Sequence, residues 1–351
     1  MKVPSEKNAM QQILGRLADL VDVDRDEVRL DSDRRAPAAD GIVRAGAFTF
    51  VVLWKGSGAA APVSTAVEQV RDYARRLGKK VIPLVAVPFM GKAGQERCAR
   101  EDVAWLDLSG NARIFAPGLR ILVEGKPNRY KRRGRPSTAF APKSSRITRW
   151  LLLNPSRALT QRELAKSTGT DEGHTSKIVG RLEEDDLVVR DDNGAVKPRD
   201  PNLLLDSWSE AYDFSKHHII RGHVAARTGD ALLRQLAGAL EHASVPYAAT
   251  GLAAAWLLDR FAGFRIVTLY LAQEPPPELL ADLSFREDEP GANVWLVVPN
   301  DEGVFHGAAL RDKIRCVHPV QAYIDLQAHP ERAYEAAQKL RAKHLKWRAD
   351  D

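Results

Sequence analysis

The chain has 351 residues, of which 44% are hydrophobic and 28% charged, so it holds enough apolar material for two or three packed domains. The formal net charge is +6, and two cysteines without zinc-like spacing argue against a disulfide-rich or metal-stabilised protein. The longest mainly apolar run, residues 81–90, is too short to cross a membrane. Because the first residues also lack the pattern of a signal peptide, we expect a cytoplasmic protein without a membrane contact.

Residues 1–127 alternate between helix-like and strand-like patterns. Helical spacing of apolar residues predicts helices over residues 8–21, 64–77 and 95–100, the second of them starting at a serine N-cap. Apolar and β-prone runs predict strands over residues 48–54, 79–88, 103–108, 113–117 and 120–124. This alternation predicts an α/β domain with a mixed sheet.

The positive charge of the chain is concentrated in one segment. Residues 129–149 carry eight Lys or Arg and no Asp or Glu, whereas the rest of the chain has 44 basic and 46 acidic residues. Such a concentration is typical of a contact with a polyanion.

Residues 128–143 are rich in Pro, Gly and Arg and lack apolar periodicity, so we predict a basic linker. Its Arg133-Gly134-Arg135-Pro136 core, preceded by Arg132, is similar to an AT-hook, which lies in the narrow minor groove of A·T-rich DNA. A solvated linker whose charge assists nonspecific association explains the pattern equally well.

Residues 144–206 carry the pattern of a winged helix-turn-helix. Three short helices are predicted over residues 144–153, 160–167 and 170–184, the second starting at the hydroxyl residue Thr160 and followed by a tight turn at Gly169. Two β-prone runs around Asp192-Asn193-Gly194 predict a hairpin after them. In the third helix, Ile178, Val179 and Leu182 have core spacing, so the polar residues between them should face solvent or a DNA groove.

We expect DNA contacts from the linker, from the first helix that follows it, from the second and third helices, and from the hairpin. The residues are Arg132, Arg133, Arg135, Arg146, Arg149, Gln161, His174, Thr175, Ser176, Lys177, Arg181, Arg190 and Lys197. Winged helices also serve as protein-interaction modules without touching nucleic acid, and this alternative stays open.

The winged helix, together with residues 247–254 and 317–326, resembles the AbiEi-like antitoxin regulators of type IV toxin-antitoxin systems. The resemblance implies a nucleotidyltransferase-like fold for residues 207–351 and a role as a repressor or antitoxin. The protein partners we consider are a cognate toxin and a second copy of the chain. Catalytic relatives of that fold need carboxylates on the strand after the turn at Thr250 and Gly251, and residues 265–271 contain none, so transferase chemistry is not expected.

Residues 1–127 resemble a restriction-endonuclease-like domain whose metal site is degenerate. Asp40 and Lys55 match the Asp and Lys of that site, but Leu53 stands where its Glu belongs. A nuclease remains the alternative, because Glu68 could supply a carboxylate.

The sequence therefore predicts an α/β multidomain protein with boundaries 1–127, 128–143, 144–206 and 207–351. We expect it to bind double-stranded DNA at the nucleoid as a transcriptional regulator. No catalytic residue, metal or cofactor is expected, and the scattered histidines are interpreted as polar surface or satisfied core positions.

Overall fold

The computed structural model describes residues 1–31, 40–78, 80–130, 138–260, 263–287 and 291–347. It divides into two compact units, Met1–Arg135 and Pro136–Asp351. Helices and three β-sheets make up the described residues, so the expected mixed α/β class is confirmed. None of the described helices is long and apolar enough to span a membrane.

The first unit places three helices around one sheet. The helices are α1 (Glu6–Val21), α2 (Ala60–Leu77) and α3 (Lys92–Arg100). The strands are β1 (Arg29–Asp31), β2 (Gly41–Ala45), β3 (Phe48–Trp54), β4 (Val81–Val87), β5 (Ala104–Asp107), β6 (Ala112–Ala116) and β7 (Leu119–Val123).

The seven strands follow one another across the sheet in chain order. Neighbours joined by short turns pair antiparallel, whereas β3, β4 and β5 run parallel because α2 and α3 supply the crossovers between them. The mixed sheet predicted from the alternation of patterns is therefore confirmed.

Strand β3 is apolar on both sides because helices cover both faces of the sheet. Its residues Phe50, Val52 and Trp54 join the core on the α1 side, whereas Val51 and Leu53 join the core with α2. The uninterrupted FTFVVLW run of the sequence is therefore the signature of a strand buried on both faces.

Helix α2 begins at Ala60, four residues before the serine that the sequence indicated as its N-cap. Ser64 is instead buried within the helix. Pro62 does not prevent the earlier start, because the first-turn amide groups have no partner inside a helix and proline is tolerated there.

The second unit contains nine described helices and nine strands. The helices are α4 (Pro142–Leu153), α5 (Gln161–Thr168), α6 (Glu172–Glu184), α7 (Pro201–Ala211), α8 (Gly229–His242), α9 (Gly251–Asp259), α10 (Pro277–Asp282), α11 (Pro319–Leu326) and α12 (Ala333–His344). The strands are β8 (Val188–Arg190), β9 (Val196–Pro198), β10 (His218–His223), β11 (Tyr247–Thr250), β12 (Val267–Leu271), β13 (Arg286–Glu287), β14 (Val294–Val298), β15 (Ala309–Arg311) and β16 (Ile314–Cys316).

Strands β10 to β16 form one sheet in the order β13-β10-β14-β12-β11-β16-β15. The pairs β12·β14 and β11·β16 are parallel and the others antiparallel. Helices α9, α11 and α12 pack on one another, and α9 and α11 also contact β11.

Three helices and a hairpin precede this sheet in the chain. Helices α4, α5 and α6 contact one another, and β8 pairs antiparallel with β9. We call residues 142–198 the helix-hairpin unit. Its α4 also packs against α7 and α11, so one face of this helix belongs to the interior of the second unit.

Each unit holds one of the two cysteines. Cys98 and Cys316 are both free and buried, and burial raises the pKa of each thiol to about 12. Both therefore act as small apolar core residues.

Candidate nucleic-acid interface

Helix α5 has defined signals at both ends. At its start, the Thr160 hydroxyl accepts from the Glu163 amide at 3.2 Å, and the Glu163 carboxylate accepts from the Thr160 amide at 2.8 Å, which is a capping box. At its end, Gly169 adopts the left-handed conformation with φ of +64°, which a residue without a Cβ does at little cost. The tight turn expected at Gly169 is therefore confirmed.

Helix α6 starts directly after this turn. The Asp171 carboxylate accepts from the amide of His174 at 2.7 Å and caps the helix. Ile178, Val179 and Leu182 are buried, as their spacing predicted. These three residues therefore form the face of α6 that packs on the rest of the helix-hairpin unit.

The opposite face of α6 is open to solvent. Ser176, Lys177 and Arg181 are exposed on it. Arg181 lies 3.2 Å from Glu184, and both side chains are more than half exposed, so this ion pair is weak and gives way easily to another anion. Gly180 lies among them with nothing within 4 Å of the position a Cβ would take. Another molecule can therefore approach the backbone of α6 closely at this point.

The expectation that Thr175 faces solvent is wrong. The side chain is completely buried, and its hydroxyl donates to the carbonyl of Asp171 at 2.9 Å and lies 2.8 Å from the hydroxyl of Thr170. Thr175 thus links α6 to the turn before it. His174 is half-buried, with Nε2 3.3 Å from the hydroxyl of Ser144.

The hairpin side of the unit is organised around Arg190. Its Nε donates to both oxygens of Glu183 on α6, at 2.9 and 3.0 Å. With its amide oxygen turned toward the guanidinium, Gln161 accepts from Arg190 at 3.0 and 3.1 Å. Gln161 and Arg190, predicted as separate DNA contacts, therefore meet, and Lys197 lies half-buried on the neighbouring strand β9.

Arg146 on α4 is engaged within the protein. Its guanidinium makes three contacts of 2.7–2.9 Å with the carboxylate of Asp301 and one of 3.1 Å with Glu302. The Arg146 side chain is only 14% exposed, and hydrogen bonding to Asp301 raises its pKa. The expected DNA contact of Arg146 is therefore corrected, because its charge is already neutralised.

Arg149, one turn further along α4, is 2% exposed. It donates to Oε1 of Gln321 at 3.0 and 2.8 Å, and its guanidinium lies 5.0 Å from the ring of Trp208. Burial lowers its pKa. The prediction that Arg149 binds DNA is wrong, because a buried side chain cannot reach a phosphate.

Beyond Arg149 lies a buried polar cluster centred on Asp325. One carboxylate oxygen accepts from Tyr212 at 2.6 Å, from Gln321 at 2.9 Å and from Tyr270 at 3.0 Å, and the other accepts from Thr250 at 2.5 Å. Burial raises the pKa of Asp325 to about 6 although these donors oppose the shift. The cluster joins α4 to α11 and the sheet.

This cluster was not predicted from the sequence, although its residues Thr250, Gln321 and Asp325 lie in the segments 247–254 and 317–326. The available signal was the placement of Thr250, Gln321 and Asp325 inside otherwise apolar runs, because polar residues in a core need partners.

Two buried histidines, His217 and His329, lie outside the strands of this sheet but pack against its residues. Burial lowers the pKa of His217 and of His329 to about 4 in each case. His329 stacks on Trp295 with ring centroids 4.7 Å apart and packs directly against Gly251. The turn at the start of α9 is therefore covered by a side chain.

In the first unit, the residues that resemble a degenerate metal site are either buried or engaged in contacts within the protein. The Asp40 carboxylate accepts from the backbone amide of Trp54 at 2.5 Å, and Lys55 donates to Gln69 at 3.3 Å. Leu53 is 5% exposed, and Glu68 pairs with Arg97 at 3.2 Å. Among the described residues, no group of three or more His, Cys, Asp or Glu is placed to hold a metal ion.

The basic-linker residues Arg132, Arg133 and Arg135 lie outside the described residues. Their contacts with DNA stay predictions from the sequence.

Residues 198–346 match a family model described as "Transcriptional regulator, AbiEi antitoxin, Type IV TA system". The match begins at the end of β9 and covers α7, the large sheet and its helices. No curated protein and no solved structure gives a match. Over residues 198–346 the chain is therefore similar to the AbiEi antitoxin family of type IV regulators, as the resemblance in its sequence indicated.

Proposed function

We propose that this protein is a sequence-specific, DNA-binding transcriptional regulator of the antitoxin type, with a winged helix in residues 144–206. The observation that carries the proposal is the solvent-facing side of α6, where Ser176, Lys177 and Arg181 lie together on a helix with a capped start. The family match of the residues that follow supports a regulator.

In this proposal α6 enters the major groove of duplex DNA. Lys177 and Ser176 have the donors and acceptors that read base edges, and Arg181 can exchange its exposed partner Glu184 for a phosphate or a guanine. Gly180 removes the side chain where the helix would press closest to the DNA. Gln161, at the start of α5, and Lys197, on the hairpin, are placed for contacts with the backbone.

Residues 144–206 contain 10 Lys or Arg and 11 Asp or Glu. A unit without net positive charge gains little nonspecific attraction to DNA, since that attraction depends on neutralised phosphates. We therefore assign the main electrostatic contribution to other segments. Arg132, Arg133 and Arg135 of the linker are the first candidates, as an AT-hook or as general phosphate contacts.

We infer that the sheet of the second unit is a nucleotidyltransferase-like scaffold without catalysis. Strand β12 has the sequence VTLYL and offers no carboxylate, and His329 occupies the space beside Gly251, where a bound phosphate would have to approach. Such a scaffold suits the docking of a cognate toxin or of a second copy of the chain.

We infer likewise that the first unit is a degenerate restriction-endonuclease-like domain and that the protein is not an enzyme. The support is Leu53, whose side chain is packed in the core on the α2 side, so that a carboxylate is missing between Asp40 and Lys55. A regulator of this kind would act at the nucleoid and need no cofactor.

The test is selection of bound duplexes from a random pool, followed by anisotropy titrations on an enriched and a scrambled duplex. The triple variant S176A/K177A/R181A should lose about 1–3 kcal/mol on the enriched duplex, roughly 5- to 150-fold in affinity, and less on the scrambled one. The matched control replaces Arg234, Gln235 and His242, three exposed residues of α8, with alanine and should bind like the wild type.

Failure to enrich any duplex would overturn the proposal in favour of a protein-interaction module. Enrichment with unchanged affinity of the triple variant would remove α6 from the interface.

A further inference from the structure

The outer strands β6 and β7 of the first unit expose one face that the function above does not use. Their side chains alternate, so Ala112 and Ile114 lie in the core on the α1 side. Arg113, Phe115 and Arg120 point to the opposite face, where Phe115 and Arg120 are direct cross-strand partners.

On this opposite face the covering helices end before β6. Helix α2 packs on β3 and β4, and α3 packs on β5. The core beneath them reaches Trp105 of β5. Leu122, on the same face of β7 as Arg120, is 55% exposed. The end of the sheet thus presents an open surface around Arg120 and Leu122, and Arg113 is half-buried at its inner side.

Two guanidinium groups are held over one ring on this surface. The Cζ atoms of Arg113 and Arg120 lie 4.2 and 4.4 Å from the centroid of the Phe115 ring. Cation-π contacts of this kind restrict the long arginine side chains in advance, so less conformational entropy is lost when they bind an anion.

Neither arginine makes an ion pair within the described part of the chain. Arg71 and Arg97 of the same unit both pair with Glu101, and Arg97 also pairs with Glu68. Arg113 and Arg120 therefore keep their full positive charge for an outside partner, whereas those neighbours do not.

We propose that the Arg113-Phe115-Arg120 face binds the phosphate backbone of duplex DNA. This proposal rests on the DNA-binding function proposed above and adds a second, sequence-independent contact to it. Guanidinium groups match phosphate oxygens in geometry and charge, and their contacts with phosphates carry no base preference.

The distribution of charge favours DNA as the occupant. Residues 1–127 contain 20 Lys or Arg and 16 Asp or Glu, whereas residues 207–351 contain 16 and 19. Residues 144–206 lack net positive charge, so phosphate neutralisation has to come from segments such as the basic linker and this face.

The experiment measures the affinity of the full-length protein for a duplex of random sequence between 50 and 200 mM salt. Each phosphate contact contributes about −0.9 to the slope of log K against log salt. The variant R113Q/R120Q should therefore show a slope less negative by about 1.8, so that the wild type loses roughly 12-fold more affinity across this range. R113K/R120K keeps both charges and should retain the wild-type slope.

The matched control is R221Q/R234Q in the second unit. It likewise removes two arginine charges, here both at exposed residues, and Arg221 also lies over an aromatic ring, 4.8 Å from that of Trp295. This control should keep the wild-type slope. Thermal unfolding of every variant checks that the fold is intact.

A wild-type slope in R113Q/R120Q, or an equal change in R221Q/R234Q, would overturn this inference and leave the proposed function standing. A slope in R113K/R120K as shallow as that of R113Q/R120Q would also overturn it, because the positive charges would then not be the cause of the salt dependence. A wild-type protein without salt-dependent affinity would instead remove the proposed function itself.

Discussion

Helices α4 and α6 belong to the same helix-hairpin unit, and each carries basic residues that the sequence assigned to DNA. On α6, Lys177 and Arg181 remain in solvent. On α4, Arg146 is neutralised by Asp301, and Arg149 is buried beside Gln321. Similar residues in one unit therefore serve different purposes, depending on which face the rest of the fold covers.

Basic residues near a proposed DNA-binding motif therefore do not by themselves identify which residues contact DNA. The partners of Arg146 and Arg149 lie 155 and 172 residues further along the chain, in segments that the helical pattern does not include. Their contacts attach the helix-hairpin unit to the sheet, so that α6 is oriented by the structure behind it.

The largest expected effect comes from Arg149→Ala. Removing a large buried side chain leaves a cavity and an unpaired Gln321 oxygen, which should lower the free energy of unfolding by about 2–5 kcal/mol. Arg181→Ala should change it by at most about 0.5 kcal/mol. Urea denaturation followed by circular dichroism measures both. If Arg149→Ala kept wild-type stability but lost DNA affinity, the assignment of α4 as the attached helix would be wrong.

The second prediction concerns pH, through Asp325. Its pKa is raised from 3.8 to about 6, so the folded state binds this proton more tightly than the unfolded chain does. The free energy of unfolding should therefore fall as pH rises from about 3 to about 7, by about 3 kcal/mol from this group. Asp325→Asn cannot titrate and retains an oxygen for Tyr212, Tyr270 and Gln321.

Denaturation curves of the wild type and Asp325→Asn at several pH values give the difference in the free energy of unfolding between the two proteins. This difference should grow by about 3 kcal/mol in favour of the variant across that pH window. A constant difference would show that the carboxyl group does not titrate there.

The smallest expected effect is that of Glu183→Gln, which releases Arg190. An ion pair this accessible to solvent contributes about 0.2–1 kcal/mol to stability, so the free energy of unfolding should change little. DNA affinity at low salt should rise, because a negative charge disappears beside the proposed groove-facing helix. Glu184→Gln, which frees Arg181, is the matched control and should act in the same direction. Weaker DNA binding by Glu183→Gln would instead show that the pair positions the hairpin.

The local signals of the helix-hairpin unit could be predicted from sequence. The cap at Thr160, the glycine at 169 and the core spacing of Ile178, Val179 and Leu182 act over a few residues, and the structure confirms each of them. The burial of β3 on both faces also has a local sequence signal, because its apolar residues follow one another without alternating with polar ones.

The contacts of individual polar side chains could not be predicted in the same way. Thr175 has the spacing of a solvent-facing residue but is buried, since the carbonyl of Asp171 and the hydroxyl of Thr170 satisfy it. Nothing in the sequence indicated that Arg113 and Arg120 share the Phe115 ring, because they become neighbours only when β6 and β7 pair. Such features depend on partners that one-dimensional periodicity does not specify.

The two buried cysteines give each unit its own chemical reporter. With the pKa of each thiol raised to about 12, almost no thiolate exists near neutral pH while the surrounding core is closed. Alkylation of Cys98 therefore follows the opening of Met1–Arg135, and alkylation of Cys316 follows that of Pro136–Asp351. Peptide mapping after brief labelling in increasing denaturant reads the order in which the two units open, without a probe being introduced into the chain.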